Sequence, residues 1–110
     1  IVGEDVDRSL VSDTVVTSAM KDLPTSVQWA LNKFYAGEWA TIGGKIETLD
    51  LSAGSFVGLP TAAESWGFKT FTVEEYTALV DGIKAGTIAV SNAIDAAPAT
   101  DASVVVNYID

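Results

Sequence analysis

The sequence predicts an α/β domain, a mainly parallel sheet with flanking helices, and three observations carry that expectation. Short β-prone runs at Ile1-Val2, Val15-Val16-Thr17, Phe56-Val57 and Val104-Val105-Val106 alternate with amphipathic helical patterns of ten to fifteen residues, the alternation of βαβ units. At 110 residues, the chain is the size of a single core that buries roughly 65% of its unfolded surface. A hydrophobic content of 48%, with three Trp, three Tyr and four Phe, excludes a disordered chain.

The first twenty-one residues organise the rest. Ile1 and Val2 begin an apolar run in which Gly3 permits close backbone approach, and Glu4, Asp5 and Asp7 follow where a parallel strand leaves its sheet. Ligands of open α/β sheets bind at that carboxyl edge. A polar loop leads to a second strand, from Val15 to Lys21.

The first helix is expected to begin in the stretch Asp22-Leu23-Pro24, with Thr25 and Gln28 at capping-box spacing. Val27, Ala30, Leu31, Phe34 and Tyr35 form its apolar stripe, and Gly37 its stop. Trp29 lies off the stripe and is read as packing against a neighbouring loop. Gly43-Gly44 is a turn, and the imperfect polar/apolar alternation from Lys45 to Leu51 predicts a half-buried strand. A turn at Ser52 to Ser55 precedes the short run Phe56 to Leu59, which stops at Pro60. Trp66 and Phe68 are expected to plug a core edge.

The second helix has a capping box, Thr72 with Glu75, and a hydrophobic-staple spacing, Phe71 with Tyr76. Its stripe is Tyr76, Leu79, Val80 and Ile83, and Gly86 ends it. Thr87 to Val90 reads as a brief strand, Asn92 to Ala102 as a loop, and Ser103 to Ile109 as a closing strand. The whole chain, 1–110, reads as a single α/β segment, with 91–110 as a peripheral tail.

Composition removes several functions. The net charge of −9, with a pI near 4.1, repels phosphate backbones, so neither nucleic acid nor an anionic membrane surface is an expected partner. With no Cys and no His, there is no thiolate nucleophile, no zinc-thiolate site and no imidazole base. No apolar run reaches the roughly 20 residues that span a bilayer. The chain has no initiator Met or signal peptide and opens inside an apparent strand, so a piece of something longer is expected.

Glu4, Asp5 and Asp7 admit four readings. A calcium loop requires six to eight oxygen ligands with a Gly-enabled turn and a distal Glu, and that spacing is missing. A glycosidase pair is permitted by Asp5 and Asp7 sharing a strand face, yet nothing nearby supplies a pocket or an aromatic platform. A solvated strand end stays open as the plain structural reading. So does a carboxylate that accepts hydrogen bonds from two vicinal hydroxyls, with Lys21 brought beside Asp5 if the two strands are neighbours. The glycine-rich places lack phosphate-loop spacing. No metal and no cofactor are expected, and catalysis by this segment is not.

The order Val2-Gly3-Glu4-Asp5-Val6-Asp7, Val16-Thr17-Ser18-Ala19-Met20-Lys21, Phe56-Val57-Gly58-Leu59 and Ile83-Lys84-Ala85-Gly86-Thr87-Ile88 resembles the C-terminal third of the basic-membrane-protein lipoproteins. These are purine-nucleoside-receptor-like substrate-binding proteins of ABC transporters. The likeness runs to about Val90, and its most specific parts are the Gly-x-Asp-x-Asp and Thr-Ser-x-x-Lys motifs. It implies the C-terminal part of a type I periplasmic-binding-protein fold, with two lobes, a cleft between them and crossing segments at the Thr-Ser-x-x-Lys strand and near Gly44 to Leu51. Asp5 and Lys21 would bind the ribose hydroxyls, with Gly3 and Asp7 as further candidates at the ligand's edge. The implied ligand is a purine-nucleoside-like small molecule and the implied partner an ABC transporter permease. The implied location is extracytoplasmic, lipid-anchored to the cell membrane through a part outside this chain. Glu4 and Arg8 depart from the family's pattern, and the loop from Ser9 to Thr14 is short. Alone, the segment would expose apolar faces, which favours a homodimer or strand exchange.

Overall fold

The computed structural model describes residues 1–91 together with Asp95, Thr100, Ser103, Val105 and Asn107. The described residues form a small α/β unit around a three-stranded mixed sheet in the order β1-β2-β3. Strand β1 (Val2–Asp5) runs parallel to β2 (Thr17–Lys21) with Val2 opposite Thr17 and Asp5 opposite Met20. Strand β3 (Val57–Gly58) pairs antiparallel with the end of β2, Lys21 opposite Val57.

Parallel neighbours need a crossover that carries the chain back to the starting end. Residues 6–16 do so with a single 3-10 turn at Ser9–Val11. Hydrogen bonds from Val16 N to Ile1 O and from the Ile1 amino group to Thr14 O, both 2.9 Å, close the returning loop against the start of β1.

Helix α1 (Leu23–Tyr35) starts one turn earlier than the Thr25–Gln28 box predicts. Pro24 is already inside the helix, so the cap falls to Asp22, which accepts from Thr25 N at 2.9 Å and Thr25 Oγ1 at 2.7 Å. Gly37, at φ +75°, provides the expected stop. A short helix α2 (Trp39–Ile42), which the sequence reading lacked, precedes Gly43-Gly44. In helix α3 (Val73–Lys84) both bonds of the Thr72–Glu75 capping box form, and Gly86 follows at φ +72°. The expected staple runs through a third ring: Trp66 stands 5.8 Å from Phe71 and 5.7 Å from Tyr76, centroid to centroid. Phe68 joins this cluster.

Two expected strands are absent. Lys45 to Leu51 is irregular: Ile46 is 99% exposed, and Asp50 turns the chain by accepting from Ser52 and Ala53 backbone nitrogens. Alternation alone gives no strand: residues 45–51 pair with neither outer edge of the sheet, β1 nor β3. The segment Thr87 to Val90 is bent instead, Thr87 N and Ile88 N both returning to Gly82 O. The loop expected over 92–102 and the closing strand over 103–109 fall largely outside the described residues.

Burial is concentrated around β2. Thr17, Ser18, Ser65 and Phe56 are buried, and Trp29 meets Phe56 edge-on at 6.5 Å, the loop contact expected of it. The stripe of α1 is uncovered: Val27, Leu31, Phe34 and Tyr35 are all exposed.

Candidate functional site

The parallel ladder places the carboxyl ends of β1 and β2 side by side, with Asp5 level with Met20 and Lys21 one residue further on. An open cleft of about 330 Å³ lies at that edge, lined by Asp5, Asp7, Met20, Lys21, Val57 and Gly58 among others. Its size falls near the lower end of small-molecule pockets. Val57 and Gly58 reach the cleft because β3 runs antiparallel and is held by α3: Leu59 N donates to Tyr76 Oη at 2.9 Å.

Lys21 Nζ stands 3.2 Å from Glu4 Oε1 and 3.7 Å from Asp5 Oδ1. On a regular strand Glu4 and Asp5 would point to opposite faces. Asp5 has φ +78°, and Val6 N donates to Glu4 O at 3.0 Å across it, so β1 ends in a γ-turn of the rare positive-φ kind. That turn breaks the alternation and lets both carboxylates reach one ammonium. The Glu4 hydrogen bond, then the charges of Glu4 and Asp5, raise the Lys21 pKa above 10.5 and keep it cationic. A non-glycine residue in the left-handed region stores backbone strain, a feature that clusters at ligand sites.

Asp7 lines the cleft but is committed elsewhere. Its Oδ2 accepts from Ser65 Oγ and its Oδ1 from Ser9 N at 2.9 Å. Ser65, buried, also meets Ser9 Oγ at 3.2 Å. The Ser65 hydroxyl, followed by the Ser9 amide, lowers the Asp7 pKa below 3.8. Asp7 therefore ties the loop after Asp5 to the turn at Ala63–Ser65. Gly3 lies two register steps inside the sheet from Asp5, where a Cβ would come within 2.6 Å of Ser18 Oγ and 2.8 Å of the Arg8 side chain. Its close approach is to these side chains and serves packing: Ser18, fully buried, accepts from Arg8 N at 3.0 Å.

Sequence reasoning brought Asp5 and Lys21 together and missed Glu4 as the nearer partner of Lys21. It also missed Met20, Val57 and Gly58 as lining residues. The turn before Phe56 was the available signal for the latter two, since a strand entering there meets the end of β2. Among the described residues no group of three His, Cys, Asp or Glu side chains gathers as for a metal ion. A second, larger cavity of about 560 Å³ lies away from this pair, between Leu51 and Ile83 to Val90. Its carboxylate, Asp50, accepts from its own turn through Oδ1.

No protein-family model matches the chain, and no curated protein or solved structure matches it.

Proposed function

We propose that this chain is the C-terminal segment of a solute receptor of a bacterial ABC transporter, holding a purine-nucleoside-like ligand by its sugar hydroxyls and catalysing nothing. The observation that carries the reading is the pairing of Asp5 with Lys21, 3.7 Å apart, over the cleft at the carboxyl ends of two parallel strands. Asp5 meets Lys21 through Oδ1. Its second oxygen supplies an acceptor for a hydroxyl, and an ammonium has three N–H donors, of which Glu4 takes one. A vicinal diol fits this arrangement, one hydroxyl donating to Asp5 and its neighbour accepting from Lys21.

The resemblance in the Gly-x-Asp-x-Asp and Thr-Ser-x-x-Lys motifs supplies the rest of the reading: a type I periplasmic-binding-protein fold, a permease as partner and an extracytoplasmic, lipid-anchored position. In such a layout the base would be held by residues outside this chain.

Calorimetric titration of the intact protein carrying this chain with inosine and guanosine tests the reading. Asp5→Asn and Lys21→Met are each expected to weaken binding about tenfold or more, since hydrogen bonds to charged groups contribute roughly 1.5–3 kcal/mol. Wild-type affinity in both variants refutes it. A protein-interaction module without a small-molecule ligand is the second reading, favoured by the exposed α1 stripe of Val27, Leu31, Phe34 and Tyr35. No binding of any nucleoside by the intact protein, with capture of a protein partner through that face, selects it.

A further inference from the structure

The walls of the second cavity are fixed from two sides. On one, Asp50 Oδ1 accepts from Ser52 N at 2.9 Å, Ser52 Oγ at 2.6 Å and Ala53 N at 3.1 Å, which sets the turn at the cavity's edge. On the other, the chain after α3 folds back onto a single carbonyl. Gly82 O accepts from Thr87 N at 2.9 Å, Thr87 Oγ1 at 3.0 Å and Ile88 N at 3.1 Å. Gly82 permits that approach, since a Cβ there would stand 2.6 Å from Ile88 Cδ1. Lys84 Nζ, 3.0 Å from Ser55 Oγ, ties the first wall to α3. At about 560 Å³ the space suits a small molecule. Its apolar lining is open to one, with Val57 and Ile88 each 37% exposed and Val90 73%.

A single charged side chain, Asp50, joins this lining among the described residues. Its three hydrogen bonds all fall on Oδ1, which leaves Oδ2 without a partner among the described residues. Bonds from the Ser52 hydroxyl and the Ala53 amide hold its carboxyl below 3.8, so it is anionic. No cation of the described residues neutralises it: Lys84 reaches Ser55, and the ion pairs formed are those of Lys21 and Lys33. The end of α3 adds the negative pole of a helix. An uncharged apolar ligand would cover the carboxylate without pairing it, which costs free energy, and an anion would be repelled. A hydrocarbon carrying one ammonium meets both the walls and the charge.

We propose that this cavity is a binding site for an amphipathic monoamine, its hydrocarbon part against Leu51, Ile83 and Ile88 and its ammonium on Asp50 Oδ2. The site shares Val57 with the Asp5–Lys21 cleft but none of its charged groups, and it does not rest on the polyol reading.

The experiment titrates 2-phenylethylamine, 2-phenylethanol and 3-phenylpropanoate into the intact protein, read by methyl NMR. The amine is expected to bind more tightly than the alcohol, to shift the methyls of Leu51, Ile83 and Ile88, and to weaken as salt rises. The carboxylate is expected not to bind. Asp50→Asn keeps an acceptor for Ser52 and Ala53, so the turn persists, while amine affinity falls about fivefold, the upper end for an ion pair that water still reaches. Ala89→Trp, outside the Asp50 turn, fills the space and abolishes binding. Absence of amine binding in wild type overturns the proposal. So does equal affinity for amine and alcohol, wild-type affinity in both variants, or shifts confined to methyls elsewhere.

Discussion

Asp5 carries two burdens at once, a carboxylate at the cleft and a left-handed backbone at φ +78°, and substitutions separate them. Asn tolerates that region, so Asp5→Asn keeps the fold and loses the carboxylate, whereas Asp5→Ala adds strain and is expected to lower stability by about 1 kcal/mol. Chemical denaturation of the two variants checks this ordering. Thr17 offers a contrasting case. Its Oγ1 is buried with no hydrogen-bond partner among the described residues, and an unsatisfied buried hydroxyl costs roughly 1–3 kcal/mol. Thr17→Val is therefore expected to raise the unfolding midpoint. Gly3→Ala should act the other way, by about 1–3 kcal/mol, because its Cβ would meet Ser18 Oγ at 2.6 Å. The juxtaposition of Asp5 and Lys21 was legible because it follows from two strands being parallel neighbours. The place of Glu4 was not, since the strand period puts adjacent residues on opposite faces and nothing in the sequence reports a γ-turn at Asp5.

At the scale of elements, local chemistry was read best. Helix α3 starts at Thr72 with both capping bonds, Thr72 N to Glu75 Oε2 at 2.8 Å and Glu75 N to Thr72 Oγ1 at 3.2 Å. Thr72→Ala is expected to cost about 1 kcal/mol of stability, measurable by thermal melting. Helix α2 was missed because four residues from Trp39 to Ile42 carry no period and no side-chain cap. The strand expected at Lys45 to Leu51 failed because alternation is a local signal and pairing is not: the run pairs with neither outer edge of the three-stranded sheet. Acid acts on elements through Asp22 and Asp7. Bonds from Thr25 to Asp22, and from Ser65 and Ser9 to Asp7, hold both pKa values below 3.8. Their stabilisation is thus complete above pH 3.8 and is lost as pH falls through the lower folded values. Helicity by circular dichroism should stay flat down to about that pH and then decline, with Asp22→Asn flattening the acid limb. For Lys21 the sign is opposite: its raised pKa means that the contact with Glu4 contributes below pH 10.5 and is lost as pH rises through the higher folded value.

Over the whole molecule, the architecture was legible as α/β, while the mixed pairing of β2 with β3 was hidden in a strand of only two residues. Apolar side chains are poorly covered outside the vicinity of β2. Leu31 is 45% exposed, Phe34 56% and Tyr35 81%. A contiguous exposed patch on a helix marks a surface that is covered in the functional state. The chain on its own is expected to self-associate through it, and Phe34→Glu to return it to monomer, as read by light scattering after size exclusion. No loss of helicity should accompany that change, because Phe34 is largely in solvent already.

The central claim is that the Asp5–Lys21 edge grips a vicinal diol, and the most direct measurement compares inosine with 2′,3′-dideoxyinosine in calorimetric titrations of the intact protein. The account predicts that inosine binds and that removing both hydroxyls weakens binding about a hundredfold or more, each hydrogen bond to a charged group contributing roughly 1.5–3 kcal/mol. Equal affinity for the two nucleosides would contradict it.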